Sequence, residues 1–347
     1  MRTLPLFFVF WLLAIQISQA QSVDLIQNPP NMKWRQINSD HFKLIFPETY
    51  EKEAGKVMTG LEAMYLPNSK NLGILPKKIP IIIQTQNTEA NAFVEPTFFR
   101  SEFFLTPPQS SFGGTTEWMQ TLAVHEGRHI VQMNKQREGG TKIFHRILGG
   151  LAGNMIIMSS LWFAEGDAVG TETALTQSGR GRVPEFDVNL RTQLLTKNPI
   201  PFATMVNGSF KRNIPNRYVH GYYLTSYIKN NYGADAYDKI LNRTYSFKNT
   251  FRGATSKITG KSIPELYALA MNEATEKWTA QQKNIEETKA DLQKHRKTDY
   301  YTSYWYPQSL PDGRILAVRQ GLGDVAQLVV FDKEGQANEK VLHTLGE

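Results

Sequence analysis

The sequence predicts an α+β fold: a mixed sheet with an edge strand first, a mostly helical half after it, and a short run of strands at the end. Three observations predict this. Alternating and short apolar runs dominate before residue 110. Helical periodicity dominates from about 116 to 293. After Lys297 short strands recur between glycine turns.

The chain opens with an export signal. Arg2 supplies a charged start, residues 4–15 an apolar core, and Ser18-Gln19-Ala20 the small residues a signal peptidase reads. Cleavage is expected after Ala20, so residues 1–20 are a signal peptide and the mature protein is periplasmic or extracellular. The apolar core is too short for a membrane span, and stable insertion is not expected after cleavage.

Composition narrows the function. There are 347 residues and no cysteines, which excludes a thiolate metal site and a cysteine nucleophile. An exported chain without disulfides relies on its hydrophobic core, and this length permits a large one. The formal net charge is +7, but acidic and basic residues are interspersed without a long Lys/Arg run. Nucleic acid is therefore not an expected partner.

The elements follow in order. Residues 41–46 alternate as a strand, 50–66 form an amphipathic helix, 79–84 suit a buried strand, and 100–105 form another strand ended by Pro107-Pro108. Thr116 is the expected N-cap of the next helix, with Glu117 at the positive end of its dipole. Trp118, Leu122, His125 and His129 fall on one face of that helix. The apolar run 147–164 reads as a buried helix, and Ser159 or Ser160 caps the helix after it. Residues 217–231 form an amphipathic helix closed by Gly233. Ser262-Ile263-Pro264-Glu265 is a capping box opening a helix to about 292.

The turns at Pro311-Asp312-Gly313, Gly321-Leu322-Gly323-Asp324 and Lys333-Glu334-Gly335 separate strands at 314–319 and 327–332. Such spacing suggests one blade of a β-propeller. One blade cannot close a propeller, so residues 298–347 read as the start of a longer one, following a domain at 21–297.

The chemistry centres on His125-Glu126-Gly127-Arg128-His129. Two histidines four apart share a helix face and reach one Zn²⁺. Glu126 between them is placed to act as general base. Catalytic zinc usually takes three protein ligands. Glu165, 36 residues after His129 in Trp162-Phe163-Ala164-Glu165-Gly166, is the best third; His145 matches no ligand pattern. Glu172, two turns beyond Glu165, is placed to accept a hydrogen bond from a ligand imidazole.

These residues carry a resemblance. His125 to His129, the segment Trp162 to Ala168 with Glu172, and Tyr218-Val219-His220-Gly221 resemble the H-E-x-x-H, W-x-x-E-G-x-A-x-x-x-E and Y-x-K-G segments of gluzincin metallopeptidases of the aminopeptidase N branch. The resemblance implies a thermolysin-like fold over about residues 30–290 and one zinc per chain held by His125, His129 and Glu165. It implies Glu126 as base, Glu172 behind a ligand and Tyr218 as oxyanion donor. It places the strand at 100–105 along the substrate cleft. With the signal peptide and one blade, the whole resembles large exported bacterial peptidases with a TolB-like propeller.

Two departures shape the expected activity. The family's lysine is His220, which could replace Tyr218 as oxyanion donor if protonated. No G-x-M-E-N segment, the anchor for a free amino terminus, precedes the metal helix. Endopeptidase action on peptides or proteins is the leading expectation. A zinc aminopeptidase and a non-catalytic binding or assembly protein with a metal-loaded domain are the competing ones.

Overall fold

Parallel strands cannot be joined by a tight turn, and the chain meets that constraint with a helix. Strands β1 (Trp34–Asn38) and β2 (Phe42–Pro47) form an antiparallel pair. Helix α1 (Glu51–Ser69) then crosses over to β3 (Ile79–Gln84), which lies parallel to β2. Strands β4 (Ala92–Glu95) and β5 (Arg100–Phe104) follow, and the sheet order is β1-β2-β3-β5-β4. The result is a mixed sheet, with β4 at one edge. This computed structural model describes residues 28–109, 114–152, 160–285, 298–332 and 338–346. The segment expected to be a signal peptide and the expected turn at 333–335 lie outside them.

The expected strand at 100–105 forms, but it is interior. The strand along the cleft is β4, which has only four residues, too few to show alternation in the sequence. β1 carries no strand signal for a different reason: its residues are mostly exposed and polar.

Helix α2 (Trp118–Lys135) packs its apolar side, including Leu122, Ala123 and Ile130, against α1 and the sheet in one core. Its N-cap is Glu117 rather than Thr116. The Glu117 carboxylate accepts from the backbone N–H groups of Met119 and Gln120, filling two of the orphan donors at the helix start.

Between residues 147 and 164 the structure departs from a single buried helix. Helix α3 (Thr141–Leu148) ends at Gly149, whose φ of 57° no helix continues through, and α4 (Leu161–Leu175) begins after Ser160. Ala152, Trp162 and Phe163 are buried, whereas Ile147, Leu151 and Leu161 are exposed. Residues 153–159 lie outside the described ones.

Helices α5 (Pro184–Leu195), α6 (Phe202–Asn207), α7 (Arg217–Tyr232), α8 (Ala236–Tyr245), α9 (Phe251–Thr259) and α10 (Ile263–Gln282) complete the helical half. Their core gathers Trp162, Phe163, Leu224, Tyr237 and Leu266. The capping box at Ser262 and Glu265 forms as expected, and Gly233 closes α7 at φ 103°. Helix α10 ends at Gln282, ten residues short of the expected end; residues 286–297 are not among those described.

Helices α4 and α7 cross backbone to backbone. A Cβ on Gly166 would lie 2.1 Å from the Gly221 carbonyl carbon, and one on Gly221 would lie 2.1 Å from the Trp162 oxygen. Two motif glycines therefore meet each other, and their contact brings α7 against the helix that carries Glu165. Gly221→Ala sets a methyl against backbone that has no side-chain freedom to yield. It should destabilise the protein by about 3 kcal/mol, read as a lower denaturation midpoint in urea. An unchanged midpoint would refute the crossing.

After residue 297 a separate four-stranded antiparallel sheet forms from β6 (Thr302–Ser309), β7 (Ile315–Gly321), β8 (Asp324–Phe331) and β9 (Lys340–Thr344), each strand paired with its sequence neighbour. Ala317, Val329 and Phe331 form its small core. No described helix is long and apolar enough to cross a membrane.

Candidate metal centre

Helix α2 projects His125 and His129 into a cleft of about 310 Å³, and α4 brings Glu165 to meet them. The wall opposite is β4, through Ala92, Phe93 and Val94, and Tyr218 of α7 lines the same cleft.

Three acceptor atoms converge there. His125 Nε2 and His129 Nε2 are 3.2 Å apart. Glu165 Oε2 lies 3.1 Å from His129 Nε2 and 3.4 Å from His125 Nε2. Ligand atoms on a tetrahedral zinc, with bonds of about 2.0–2.1 Å, stand about 3.3 Å apart. The triangle matches that spacing, and the two-nitrogen, one-oxygen donor set suits zinc.

The other ring nitrogens explain why the Nε2 lone pairs face inward. His125 Nδ1 is held by the Glu172 carboxylate, and His129 Nδ1 lies 2.8 Å from Gln132 Oε1. Each Nδ1–H thus donates outward, and each Nε2 is left as an acceptor. Three acceptors facing one another repel unless a cation or protons lie between them. Without a metal, protons fill this role. Burial works to lower His129, but the charge and hydrogen bond of Glu165 override it and hold the imidazole up at about 9. Burial likewise opposes ionisation of Glu165, yet the two imidazoles keep it far below the usual carboxylate range.

Each imidazole has its own support. Gln132 is fixed by donating to Asp167 at 2.8 Å, to the Ala164 carbonyl at 3.0 Å and to the Tyr237 hydroxyl at 3.2 Å. Asp167, fully buried, also accepts from Arg128 at 2.7 and 3.1 Å and from Lys229. Burial would raise its pKa, but the two cations hold it well below the ordinary range. Arg128, inside the histidine motif, is therefore a buried structural partner rather than a solvated one.

Behind His125, Glu172 is shared with Arg180, whose Nε donates to Oε2 at 2.9 Å. Burial opposes the Glu172 charge, but Arg180 and His125 keep its pKa down at about 2. Arg180 also lies over the Tyr218 ring, 5.2 Å from its centroid. The glycines on either side of it make this approach possible: a Cβ on Gly179 would meet Glu172 backbone at 2.5 Å, and one on Gly181 would meet the Tyr222 ring at 2.4 Å. Sequence reasoning missed both Gln132 and Arg180. Gln132 follows His129 at helical spacing, on the same face of α2. Arg180 offered only the Gly-Arg-Gly triplet.

Glu126 is buried at the same point. Its Oε2 has no hydrogen-bond partner among the described residues, and burial raises its pKa against the pull of His125 and His129. Tyr218 lies with its ring centroid 6.1 Å from that of His125. Burial and the Glu165 charge lift its pKa to about 12, so at neutral pH it keeps its proton and can donate it in a hydrogen bond.

The structure thus brings His125, Glu126, His129, Glu165, Glu172 and Tyr218 together. It does not bring His220 among them. That imidazole is fully buried on another side of α7, with Nδ1 3.3 Å from the Tyr267 hydroxyl, and it does not line the cleft. Burial lowers its pKa to about 4, so it is neutral where a charged oxyanion donor would be needed. His145 lies on α3, away from the cleft lining.

A more open hollow of about 670 Å³ lies near Leu66, Leu75 and Leu175, but Lys70 is its only charged lining residue. No family model matches this chain, and no curated protein sequence does.

Proposed function

We propose that the protein is an exported zinc-dependent metallopeptidase that hydrolyses internal bonds of peptide or protein substrates. The carrying observation is the convergence of His125 Nε2, His129 Nε2 and Glu165 Oε2, 3.1–3.4 Å apart, beside a buried Glu126 carboxylate. The same three residues form the one metal-capable cluster found among the described residues.

Zinc held by those three would supply Lewis-acid polarisation of the scissile carbonyl and acidify the attacking water. Glu126 takes the proton from that water and passes it to the leaving amine. Its raised pKa suits a group that must first accept and then release a proton near neutral pH. Tyr218 donates a hydrogen bond to the oxygen on which charge develops. An extended substrate lies along β4, whose backbone can pair with it as an added strand. The edge strand, the metal helix and the helical half support a gluzincin-like arrangement. The four-stranded meander at 302–344 supports the propeller-blade reading of the last segment.

Digestion of amino-terminally acetylated peptides by the zinc-loaded protein tests this. Mass spectrometry is expected to show internal cuts. A ladder of single residues lost from free amino termini would instead identify an aminopeptidase. No turnover on any peptide with zinc bound would identify a binding protein.

Tyr218→Phe is expected to lower kcat by about 10²–10³ with little change in KM, the loss of one oxyanion donor. His220→Gln should leave kcat much closer to normal. Saturating kinetics on both variants decides the matter; the reverse ranking would refute the role given to Tyr218.

A further inference from the structure

Helix α3 has an apolar face that the fold leaves in water. Its Ile143, Phe144, Ile147 and Leu148 fall on one arc at helical spacing, and Ile147 is 74% exposed. Leu151 just beyond it is also exposed. Across from it is the turn joining β4 to β5: a Cβ on Gly150 would run into the Thr97 carbonyl, so the two segments touch backbone to backbone. Phe98, at that turn, is 70% exposed. Surface aliphatic residues scattered singly need no explanation, but a clustered face of this kind marks an interaction site.

The charge around this face says what it meets. Between Glu138 and Glu165 the chain has no acidic residue. Lys142 and Arg146 occupy the opposite arc of α3 and are both exposed. Arg100 lies over the Phe98 ring at 5.2 Å, and Arg137 over the Phe99 ring at 3.9 Å. A short helix with aliphatic and aromatic residues on one arc and basic residues on the other has the composition of an interfacial helix. Such helices lie in the plane of an anionic bilayer surface, with the apolar arc at the acyl boundary and Lys and Arg at the headgroups.

We propose that this face docks the protein on the surface of an anionic lipid bilayer. Pro96, at the same turn as Phe98, and the exposed Leu161 both line the cleft, so docking holds the cleft mouth close to the membrane and favours membrane-proximal substrates. Binding itself does not depend on the peptidase reading, because α3 contributes none of the residues proposed for catalysis.

Co-sedimentation of the exported protein with vesicles tests it. Binding is expected to phosphatidylcholine vesicles containing phosphatidylglycerol, with much less to phosphatidylcholine alone, and salt should weaken it. Ile143→Ser/Ile147→Ser should weaken binding at least about tenfold, since it removes most of the exposed aliphatic surface. Lys142→Gln and Arg146→Gln should each weaken it about fivefold. Zinc content and thermal midpoint should stay unchanged in all variants, as every altered side chain is exposed. Equal binding to both vesicle types, no binding, or binding unaffected by the double serine variant would overturn the proposal. So would a wild-type dimer that the same variant converts to monomer, because the face would then be covered by a second copy.

Discussion

Glu126→Gln is expected to retain zinc and fold while kcat falls by about 10²–10⁴, the usual contribution of a positioned general base. The amide has nearly the same volume as the carboxylate, and Glu126 is not one of the three converging acceptors, so neither packing nor metal binding is disturbed. What is lost is, among the described residues lining the cleft, the one carboxylate that does not contact an imidazole nitrogen; the other, Glu165, meets both. Its Oε2 has no hydrogen-bond partner among the described residues, which leaves it free to take a proton from water. Zinc analysis together with single-turnover kinetics separates the outcomes. Near-normal turnover would assign the base elsewhere; a loss of zinc would mean that Glu126 belongs to the ligand set.

Glu165→Ala is expected to weaken zinc binding by more than about 100-fold, and His125→Ala or His129→Ala to do the same. Each removes one of three ligands, a larger loss than the 10–100-fold that follows removal of a group supporting a ligand. Gln132→Leu provides the contrast and should fall within that smaller range, because His129 keeps Nε2 but loses the acceptor that orients it. Binding should also weaken as pH falls. The His129 imidazole holds a proton up to about 9 in the metal-free protein, and zinc must displace it. Competition with a chelator of known affinity measures all four variants. Wild-type affinity in Glu165→Ala would refute the ligand assignment.

These two expectations bear on the part of the molecule most legible in the sequence. Residues four apart on a helix share a face whatever surrounds them, so His125 and His129 could be paired from spacing alone. Glu165 and Glu172, seven apart, follow the same rule. Capping chemistry is equally local: Ser262 with Glu265, and Gly233 after α7, were readable because each satisfies backbone groups within one turn. At the start of α2 local reasoning came within one residue. Thr116 and Glu117 both carry a suitable oxygen, and the choice fell to the residue whose side chain reaches two N–H groups.

Strands were less legible because their partners are distant. β3 shows as an apolar run, being buried within the sheet. β1 and β4 are sheet edges and carry weaker patterns. β6 contains Pro307, which reads as a strand breaker; the structure places it at a bulge between Trp305 and Gln308, where no ladder hydrogen bond is required. The run at 147–164 was legible only in part. Ala152, Trp162 and Phe163 are buried as its hydrophobicity predicts, but Gly149 ends α3, and Ile147, Leu148, Leu151 and Leu161 are exposed.

By itself the sequence determined the mixed helix-and-strand class, the break in organisation after Lys297 and the pairing of His125 with His129 around Glu126, because each rests on spacing along one helix or on local composition; it offered Glu165 only as a candidate partner for them. Only the tertiary structure decided which strand lines the cleft, that Gln132 and Arg180 support the two histidine ligands, and that Tyr218 faces the site while His220 does not. Those outcomes depend on contacts between helices distant in sequence, such as His129 with Glu165, 36 positions apart, and Gln132 with Tyr237, 105 apart. They are set by how closely two helices can approach, and here two glycines, Gly166 and Gly221, permit the approach that turns one face of α7 to the metal centre and buries the other.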